Sequence, residues 1–172
     1  MKKFELTAEF VTNIFGKKLF RIKALVAFCD VEKGELGGFI EKEDNLSHSG
    51  DAWVYGDARV YGNAQVYGNA QVYGNAQVYG DAWVSGDAWV SGNADYAVVT
   101  GFGHCFRATT FFRCKDKILR VQCGCFYGDL AKFREIVKKT HGDSKYAKEY
   151  LAIADLMELH FSDEEENQEA DK

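Results

Sequence analysis

The chain has 172 residues, a length that allows one or two compact domains. Apolar residues make up 47% and charged residues 27%, which excludes wholesale disorder, and the absence of proline excludes a proline-rich linker. No apolar stretch is long enough for a membrane helix, so no membrane partner is expected. The first ten residues lack the apolar core of a signal peptide, and the five cysteines are an odd number. Both features predict a cytoplasmic protein with reduced thiols.

The N-terminal segment predicts a β cap. Two apolar runs with imperfect alternation, residues 3–11 and 18–28, surround Gly16 and indicate a hairpin. Gly37 and Gly38 are expected to mark a sharp turn. Asn45-Leu46 stands where a corner of the following repeat would fall, and this degenerate first hexad is expected to close one end of the repeat.

A six-residue repeat organises the middle of the chain. Glycine recurs at every sixth position from Gly50 to Gly92, always followed by Asp or Asn and then Ala, and valine recurs in the same way from Val54 to Val90. A period of six fits neither a helix nor a hairpin meander, but it fits three-residue strands separated by tight corners. Because alternate side chains of a strand point to opposite faces, the valines are expected to point inward together.

The unit Val-Tyr-Gly-Asn-Ala-Gln resembles the hexapeptide repeat of the left-handed parallel β-helix family, and the resemblance covers residues 50–95. In that family three hexads complete one triangular coil. The resemblance therefore implies a mainly β fold: a short left-handed parallel β-helix of about three coils, with an N-terminal β cap and a C-terminal β-hairpin plus two-helix unit. The predicted boundaries are 1–43 for the cap, 44–97 for the β-helix, 98–161 for the hairpin and helices, and 162–172 for an acidic, disordered tail.

Stacking of such coils predicts which side chains share a row. Val54, Val72 and Val90 are expected in one inward row. Outside, the expected neighbours are Tyr55 with Tyr73, Tyr61 with Tyr79, Trp53 with Trp89 across Gln71, and Trp83 with Gln65. Exposed aromatic surface usually meets a partner. The resemblance implies a homotrimer, with packing on the chain's own flanks as the alternative, and the expected interface residues are Trp53, Tyr55, Tyr73, Trp83 and Trp89.

The segment after the repeat predicts a hairpin followed by two helices. Two strand-like runs, residues 108–114 and 118–126, flank a polar turn at 115–117. Asp129 and Ser144 are expected to be the N-caps of the helices, and Gly142 is expected to end the first one. The two helices then form a helical hairpin.

Two other functions, acyl transfer and zinc binding, have less support from the residues. The resemblance raises acyl transfer from acyl-CoA, which needs a histidine base beside a cleft, but the hexads contain no inserted loop and His48 is expected to be a cap residue at an inward position. Cys123 and Cys125 are closer in sequence than usual zinc pairs and would point to the same face of one strand. We therefore expect structural thiols, no metal, no cofactor and no catalytic residue, with an acyl-CoA-dependent acyltransferase as the alternative function.

The segment 98–128 carries the strongest functional signal. It holds five basic groups against one acid, whereas residues 44–97 hold one basic group against six acids. Guanidinium groups hold phosphates, aromatic rings stack bases and hydroxyls orient sugars, so this composition predicts a pocket for a small anionic nucleotide. The acidic neighbourhood disfavours long nucleic acid, and an amphipathic hairpin with a solvated basic edge is the alternative. The candidate ligand-binding residues are His104, Arg107, Thr109, Thr110, Phe111, Arg113 and Arg120. Of these, Arg107 and Arg113 are expected to clamp the ligand together.

A second resemblance extends over nearly the whole chain. The segments Leu-Gly-Gly-Phe-Ile-Glu-Lys-Glu (36–43), Asn-Leu-Ser-His (45–48) and Cys-Gly-Cys-Phe (123–126), together with the hexads, resemble a group of uncharacterised proteins of phages, prophages and gut bacteria. The missing active-site loop favours a non-catalytic binding protein, and the resemblance to phage proteins implies a role in countering host immunity in the cytoplasm of a bacterial host. The protein would sequester a small anionic, cyclic nucleotide signal or block a host defence protein.

Overall fold

The structure is a computed structural model that describes residues 1–162; the prediction of a disordered tail therefore lies outside the described residues, apart from Ser162. The strands are β1 (Phe4–Thr12), β2 (Lys18–Ala24), β3 (Leu36–Ile40), β4 (Trp53–Val54), β5 (Arg59–Val60), β6 (Gln65–Val66), β7 (Gln71–Val72), β8 (Gln77–Val78), β9 (Trp83–Val84), β10 (Trp89–Val90), β11 (Tyr96–Val99), β12 (Thr109–Arg113), β13 (Leu119–Cys123) and β14 (Phe126–Asp129). Two 3₁₀ turns (Glu43–Asn45 and Asn93–Asp95) precede and follow β4–β10, and the helices are α1 (Leu130–His141) and α2 (Lys145–Phe161).

The N-terminal hairpin is confirmed. Strands β1 and β2 pair antiparallel, and the Asn13 side chain closes their turn by accepting hydrogen bonds from two backbone N–H groups. The expected turn at Gly37 and Gly38 is wrong, because both glycines lie inside β3. A Cβ at Gly38 would stand 2.5 Å from the carbonyl oxygen of Ala58. These glycines let β3 pack closely against the next coil. Close approach of two backbones, as well as a turn, can therefore require glycine.

The repeat forms a column of stacked parallel strands. Each of the strands from β4 to β7 pairs with the third strand after it, so Val54, Val72 and Val90 align in one row. All three valines have no exposed surface. The predicted inward row is therefore confirmed, as are the outward rows of Trp53, Gln71 and Trp89 and of Gln65 and Trp83.

The column begins earlier than the predicted boundary at residue 44. Ile40 of β3 pairs with Val60, and Leu46 forms a bridge with Val66, each at an offset of 20 positions instead of the 18 that separates Val54 from Val72. Two extra residues therefore lie between Leu46 and the next inward valine. Leu46 fills the inward position that the strict period assigns to His48, so that assignment of His48 is wrong. We call residues 36–92 the repeat column.

A four-stranded antiparallel sheet covers the other end of the column. Its order is β11–β12–β13–β14, so the predicted hairpin is confirmed as β12 and β13 within a larger sheet. Both faces of β12 are buried, since Phe112 joins the core of the repeat column and Phe111 joins the core under the helices. The second predicted run divides at a turn, which leaves Cys123 in β13 and Cys125 exposed in the turn before β14. The two thiols therefore do not share one strand.

The two helices pack on the outer face of this sheet. Asp129 accepts a hydrogen bond from the Lys132 N–H and Ser144 accepts one from the Ala147 N–H, which confirms both predicted N-caps. The buried residues that join the helices to the sheet are Leu130, Phe133, Val137, Ala147, Tyr150, Ile153, Ala154, Met157 and Phe161. Neither helix within residues 1–162 combines the length and the apolar character that crossing a membrane requires.

Candidate functional site

A cleft of about 1150 Å³ lies between the repeat column and the loop 100–108 that precedes β12. Its lining comes from three parts of the chain: the 3₁₀ turn after β3, the outer face of the column at β6 and β9, and the loop. We call this space the cleft. Its volume is slightly above the usual range of small-molecule sites, so it has room for a nucleotide.

Aromatic side chains line two sides of the cleft. Trp83 of β9 lies next to Gln65 of β6 and is 41% exposed. Its backbone N–H donates a hydrogen bond of 2.9 Å to the Thr110 hydroxyl, which ties the column to β12. Phe106, on the loop, is 67% exposed and has a φ of +50°, an uncommon backbone conformation for a residue other than glycine. Exposed rings of this kind provide surfaces on which a base can stack.

Arg107 gives the cleft its main cationic group. Its guanidinium lies directly over Gly124, so a Cβ at that position would displace it. The guanidinium also contacts the Cys105 thiol, and this contact raises the pKa of Arg107 above its usual value. The side chain is exposed, and within residues 1–162 no carboxylate lies at ion-pair distance from it. A guanidinium without a carboxylate partner is available to an anionic ligand.

Carboxylates line the part of the cleft formed by the column and the 3₁₀ turn. Glu43 accepts a hydrogen bond of 2.6 Å from Lys2 and lies 3.6 Å from the His48 ring, and the contact with Lys2 is the main cause of its lowered pKa. Asp81 accepts a hydrogen bond of 3.0 Å from the Asn63 amide. Asp44 also lines the cleft. The cleft therefore offers both a cation and several hydrogen-bond acceptors.

Three of the predicted ligand-binding residues are wrong, because β12 is covered on both faces. Thr109, Thr110 and Phe111 are at most 1% exposed. Thr109 donates its hydroxyl to the Cys123 sulfur, and Phe111 packs edge-on against Phe133 of α1. These side chains hold the sheet between the column and the helices and leave no surface for a ligand.

The predicted clamp of Arg107 with Arg113 does not form. Arg113 lies at the far end of β12, where it donates a 2.9 Å hydrogen bond to the Phe161 carbonyl and pairs with Asp95 at 3.6 Å. Arg120 pairs with Asp116 at 2.6 Å. These two arginines fix the end of α2 and the β12–β13 turn, so of the predicted arginines only Arg107 reaches the cleft.

His104 lies beside the cleft and lines a second, smaller cavity of about 350 Å³ under the helices. Its Nδ1 is 3.6 Å from the Cys105 sulfur, and its ring contacts Tyr146 edge-on. Cys105 and Arg107 line both spaces. We call the smaller space the helical cavity.

The predicted interface residue Trp53 is wrong, since it has no exposed surface. Its ring lies 5.4 Å from Phe28 and 6.3 Å from Phe4, so the N-terminal cap covers it. Trp89 is half-buried against Tyr73, at 5.5 Å, and under the ammonium of Lys115. For these tryptophans the alternative of packing on the chain's own flanks describes the structure.

The other aromatic residues of the column differ in how exposed they are. Tyr55 packs against the column core, and burial raises its pKa to about 12. Tyr61 and Tyr79 stack at 5.2 Å, as predicted, and Tyr79 is half exposed. Trp83 is exposed, but it lines the cleft. The structure thus leaves Trp83 and the Tyr79 ring as the outward aromatic surface of the column.

His48 is a cap residue, as predicted. Its ring stacks on Phe4 at 4.2 Å, and its Nδ1 accepts a hydrogen bond of 3.2 Å from the Lys3 N–H. A neutral imidazole that accepts at Nδ1 carries its proton on Nε2. His48 therefore has no free lone pair for a general base while this bond is in place.

No cluster of three or more His, Cys, Asp or Glu side chains is placed to hold a metal ion within residues 1–162. The five cysteines are free thiols, of which Cys114 is buried and has a pKa raised to about 11 by burial. Cys29 and Cys125 are exposed, and Cys123 is half-buried.

The comparison with protein families identifies the repeat. Four overlapping segments, residues 52–68, 64–77, 70–86 and 76–92, match the family model of the YdcK beta solenoid repeat. The repeat is a β-solenoid. The matched residues cover about a quarter of the chain and lie within the repeat column. No curated protein matches the chain.

Sequence reasoning identified Trp83 but assigned it to an interface. The signal was present in the repeat: the period places Trp83 next to the exposed Gln65 on one outer face, and that face is where the loop 100–108 approaches. Arg107 was identified by its charge. The carboxylates of the 3₁₀ turn and of the column corners were missed, since nothing in the sequence shows that they meet the loop.

Proposed function

We propose that the chain is a non-catalytic binding protein, built on a left-handed β-helix of about three coils, that holds a small anionic nucleotide in the cleft. The observation that carries the proposal is the presence of the exposed Arg107, without a carboxylate partner, in the same cleft as the exposed Trp83 ring. A phosphate on the guanidinium and a base on the indole are the two contacts that such a ligand needs.

The carboxylates restrict the class of ligand. Asp44 and Asp81 would repel a polyanion, but they can accept hydrogen bonds from base N–H groups or ribose hydroxyls. A nucleotide with one or two phosphates, such as a cyclic mononucleotide or dinucleotide, fits this mixture better than a triphosphate or a long nucleic acid. Stacking on Trp83 would contribute about 1–3 kcal/mol of binding free energy per base.

The biological role proposed for this binding is sequestration of a host immune signal by a phage-type protein in the bacterial cytoplasm. A rigid column with a preformed cleft suits sequestration, because little ordering is needed on binding. Direct blocking of a host defence protein is the competing role.

Calorimetric titration of the purified protein tests the proposal. The panel contains cyclic mononucleotides, cyclic dinucleotides, the corresponding triphosphates and acetyl-CoA. We expect a cyclic nucleotide to bind, and Arg107→Ala to weaken binding at least tenfold, which corresponds to about 1.4 kcal/mol. Arg120→Ala is the control, since Arg120 lies outside the cleft, where it is partly buried and paired with Asp116. The affinity of this variant should equal that of the wild type.

Two outcomes contradict the proposal. If no nucleotide binds and a host protein is captured instead, direct blocking is the better explanation. If acetyl-CoA binds in preference to nucleotides and acetyl transfer is detected, the acyltransferase alternative replaces it; that activity should then depend on His48 or His104.

The homotrimer is also a proposal, supported by the resemblance of the hexads and by the outward Tyr79 ring. Sedimentation or light scattering gives the mass in solution directly. A mass of three chains supports it, and Tyr79→Glu should then reduce the mass to that of one chain. A monomeric mass at micromolar concentration contradicts it.

A further inference from the structure

A cluster of thiol, imidazole and guanidinium groups lies where the cleft and the helical cavity meet. Cys105 is exposed and lines both spaces, as does Arg107. His104 places its Nδ1 3.6 Å from the Cys105 sulfur, and a second thiol, Cys123, lines the helical cavity. His104, Cys105 and Arg107 are exposed, whereas Cys123 also accepts the Thr109 hydroxyl within the sheet.

We propose that Cys105 is a covalent modification site that undergoes thiol–disulfide exchange with a small disulfide bearing carboxylate groups. The Cys105 thiolate attacks one sulfur of the disulfide, a new S–S bond forms, and the original S–S bond breaks. The departing thiolate takes a proton from water, so no other oxidant or reductant is consumed. Arg107 holds a carboxylate of the incoming disulfide.

The surroundings of Cys105 favour the thiolate. The His104 ring and then the Arg107 guanidinium, both in contact with the sulfur, hold the pKa of the Cys105 thiol below its ordinary value. The other titratable and charged groups that share its two spaces are Cys123, His141 and Tyr150 in the helical cavity and Lys42, Glu43, Asp44, His48, Tyr67 and Asp81 in the cleft. The carboxylates belong to the cleft wall formed by the column and its 3₁₀ turn, whereas the contacts that act on the sulfur come from its own loop.

Cys105, Phe106 and Arg107 are exposed together on one loop. Backbone conformation does not distinguish Cys105 from the other exposed thiols, because Phe106 next to it has a φ of +50° and Cys29 itself has a φ of +45°. The assignment therefore depends on the imidazole and the guanidinium beside the Cys105 sulfur.

The chain provides its own controls. Cys29 and Cys125 are also exposed thiols. Cys29 shares its surface groove with Lys115 and with Asp51, Asp87 and Asp116, whose excess negative charge repels an anionic disulfide. Cys125 lies in the β13–β14 turn. Accessibility alone therefore predicts equal reaction at three cysteines, whereas the proposal predicts Cys105 first.

The test is the reaction of the full chain, without nucleotide, with the anionic aromatic disulfide 5,5′-dithiobis(2-nitrobenzoate), followed by mass spectrometry of the labelled peptides. We expect Cys105 to be labelled at least tenfold faster than Cys29 or Cys125 near neutral pH. The rate at Cys105 should reach half its maximum at a lower pH than the rate at Cys125. Labelling of Cys29 or Cys125 at the same rate as Cys105 would overturn the proposal.

Charge variants separate reactivity from simple exposure. Arg107→Ala should slow the anionic disulfide several-fold more than it slows the cationic disulfide cystamine, and Arg107→Lys should restore most of that difference. His104→Gln should raise the pH midpoint of the Cys105 rate. If Arg107→Ala slows both disulfides equally, Arg107 does not hold the carboxylate and the proposal is wrong. The assay contains no nucleotide, so it can succeed or fail independently of the proposed binding function.

Discussion

The repeat column and the sheet strand β12 show opposite relations between sequence and structure. In the column, the valine of every hexad from Val54 to Val90 has no exposed surface, and the corner alanines are buried in the same core. In β12, four consecutive residues from Thr109 to Phe112 are buried, although the segment contains polar and apolar residues together. A periodic sequence therefore predicts which side chains face a core. The sequence of a single strand does not predict whether one or both of its faces are buried.

The physical reason is the number of layers that each segment meets. Apart from β4, whose Trp53 is covered by the N-terminal cap, the strands β5 to β10 face a core on one side only, so their outward positions remain polar or aromatic. Strand β12 lies between two cores, because Phe112 packs on the column and Phe111 packs under α1. Its threonines satisfy their hydroxyls with Cys123 and with the Trp83 N–H. Hydroxyls that suggested ligand contacts are therefore internal hydrogen-bonding groups.

The largest effect is expected from reversing one inward position of the column. Val66→Asp would place a carboxylate without a partner among apolar side chains, and should lower the free energy of unfolding by about 4 kcal/mol or more. Gln65→Asp, one residue earlier on the exposed face, should change it by less than about 1 kcal/mol. Urea unfolding of both variants measures the contrast, and equal losses would contradict the inward–outward assignment.

The free energy of unfolding should depend on pH through Lys3, at the N-terminal end of the column. The Lys3 ammonium is buried and donates to the carbonyls of Gly50 and Ala52, and burial lowers its pKa to about 8 from 10.5. Between these two values the unfolded chain binds more protons than the folded chain. The free energy of unfolding should therefore gain up to about 3 kcal/mol from this group as the pH rises from 8 to 10.5.

Lys3→Met removes that contribution, and Lys33→Met, at an exposed position, is its control. Denaturant unfolding at several pH values should show a smaller rise for Lys3→Met than for the control. An unchanged slope in Lys3→Met would show that burial does not perturb this ammonium.

Two corner glycines with the same backbone conformation should differ in their tolerance of alanine. Gly68 and Gly80 have φ values of +70° and +69°. A Cβ at Gly68 would stand 2.9 Å from the Gly86 nitrogen of the next coil, whereas at Gly80 nothing lies within 4 Å. The left-handed conformation should destabilise both alanine variants by about 1–2 kcal/mol. Gly68→Ala should lose about 1–2 kcal/mol more, and thermal unfolding of the pair measures the difference.

The smallest effect separates the two arginines that the sequence placed in one clamp. Arg113→Ala removes the hydrogen bond to the Phe161 carbonyl and the ion pair with Asp95, and should lower stability by about 1 kcal/mol without changing ligand affinity. Arg107→Ala should have the reverse effect, since its guanidinium is exposed. Parallel melting and binding curves test this, and a loss of affinity in Arg113→Ala would restore the clamp.

The sequence predicted the column well because the period of six specifies which side chains point inward, which strands lie in register and where the corners fall. The rows of Val54 and Trp53, the N-caps Asp129 and Ser144 and the hairpin of β12 with β13 all depended on local signals. The glycines of β3 and the offset at Leu46 were missed, because close approach between coils is a tertiary property. The cleft was only half predicted, since its two walls are distant in sequence and a basic loop does not reveal what it faces.

Tryptophan fluorescence during a nucleotide titration tests the central claim most directly. Trp53 has no exposed surface and Trp89 is half-buried, whereas Trp83 is 41% exposed in the cleft. A cyclic nucleotide that binds as proposed should quench the emission of the wild type and of Arg113→Ala, but leave that of Trp83→Phe unchanged. Saturable binding by calorimetry with unaltered Trp83 emission, or equal quenching in Trp83→Phe, would place the ligand elsewhere and contradict the account.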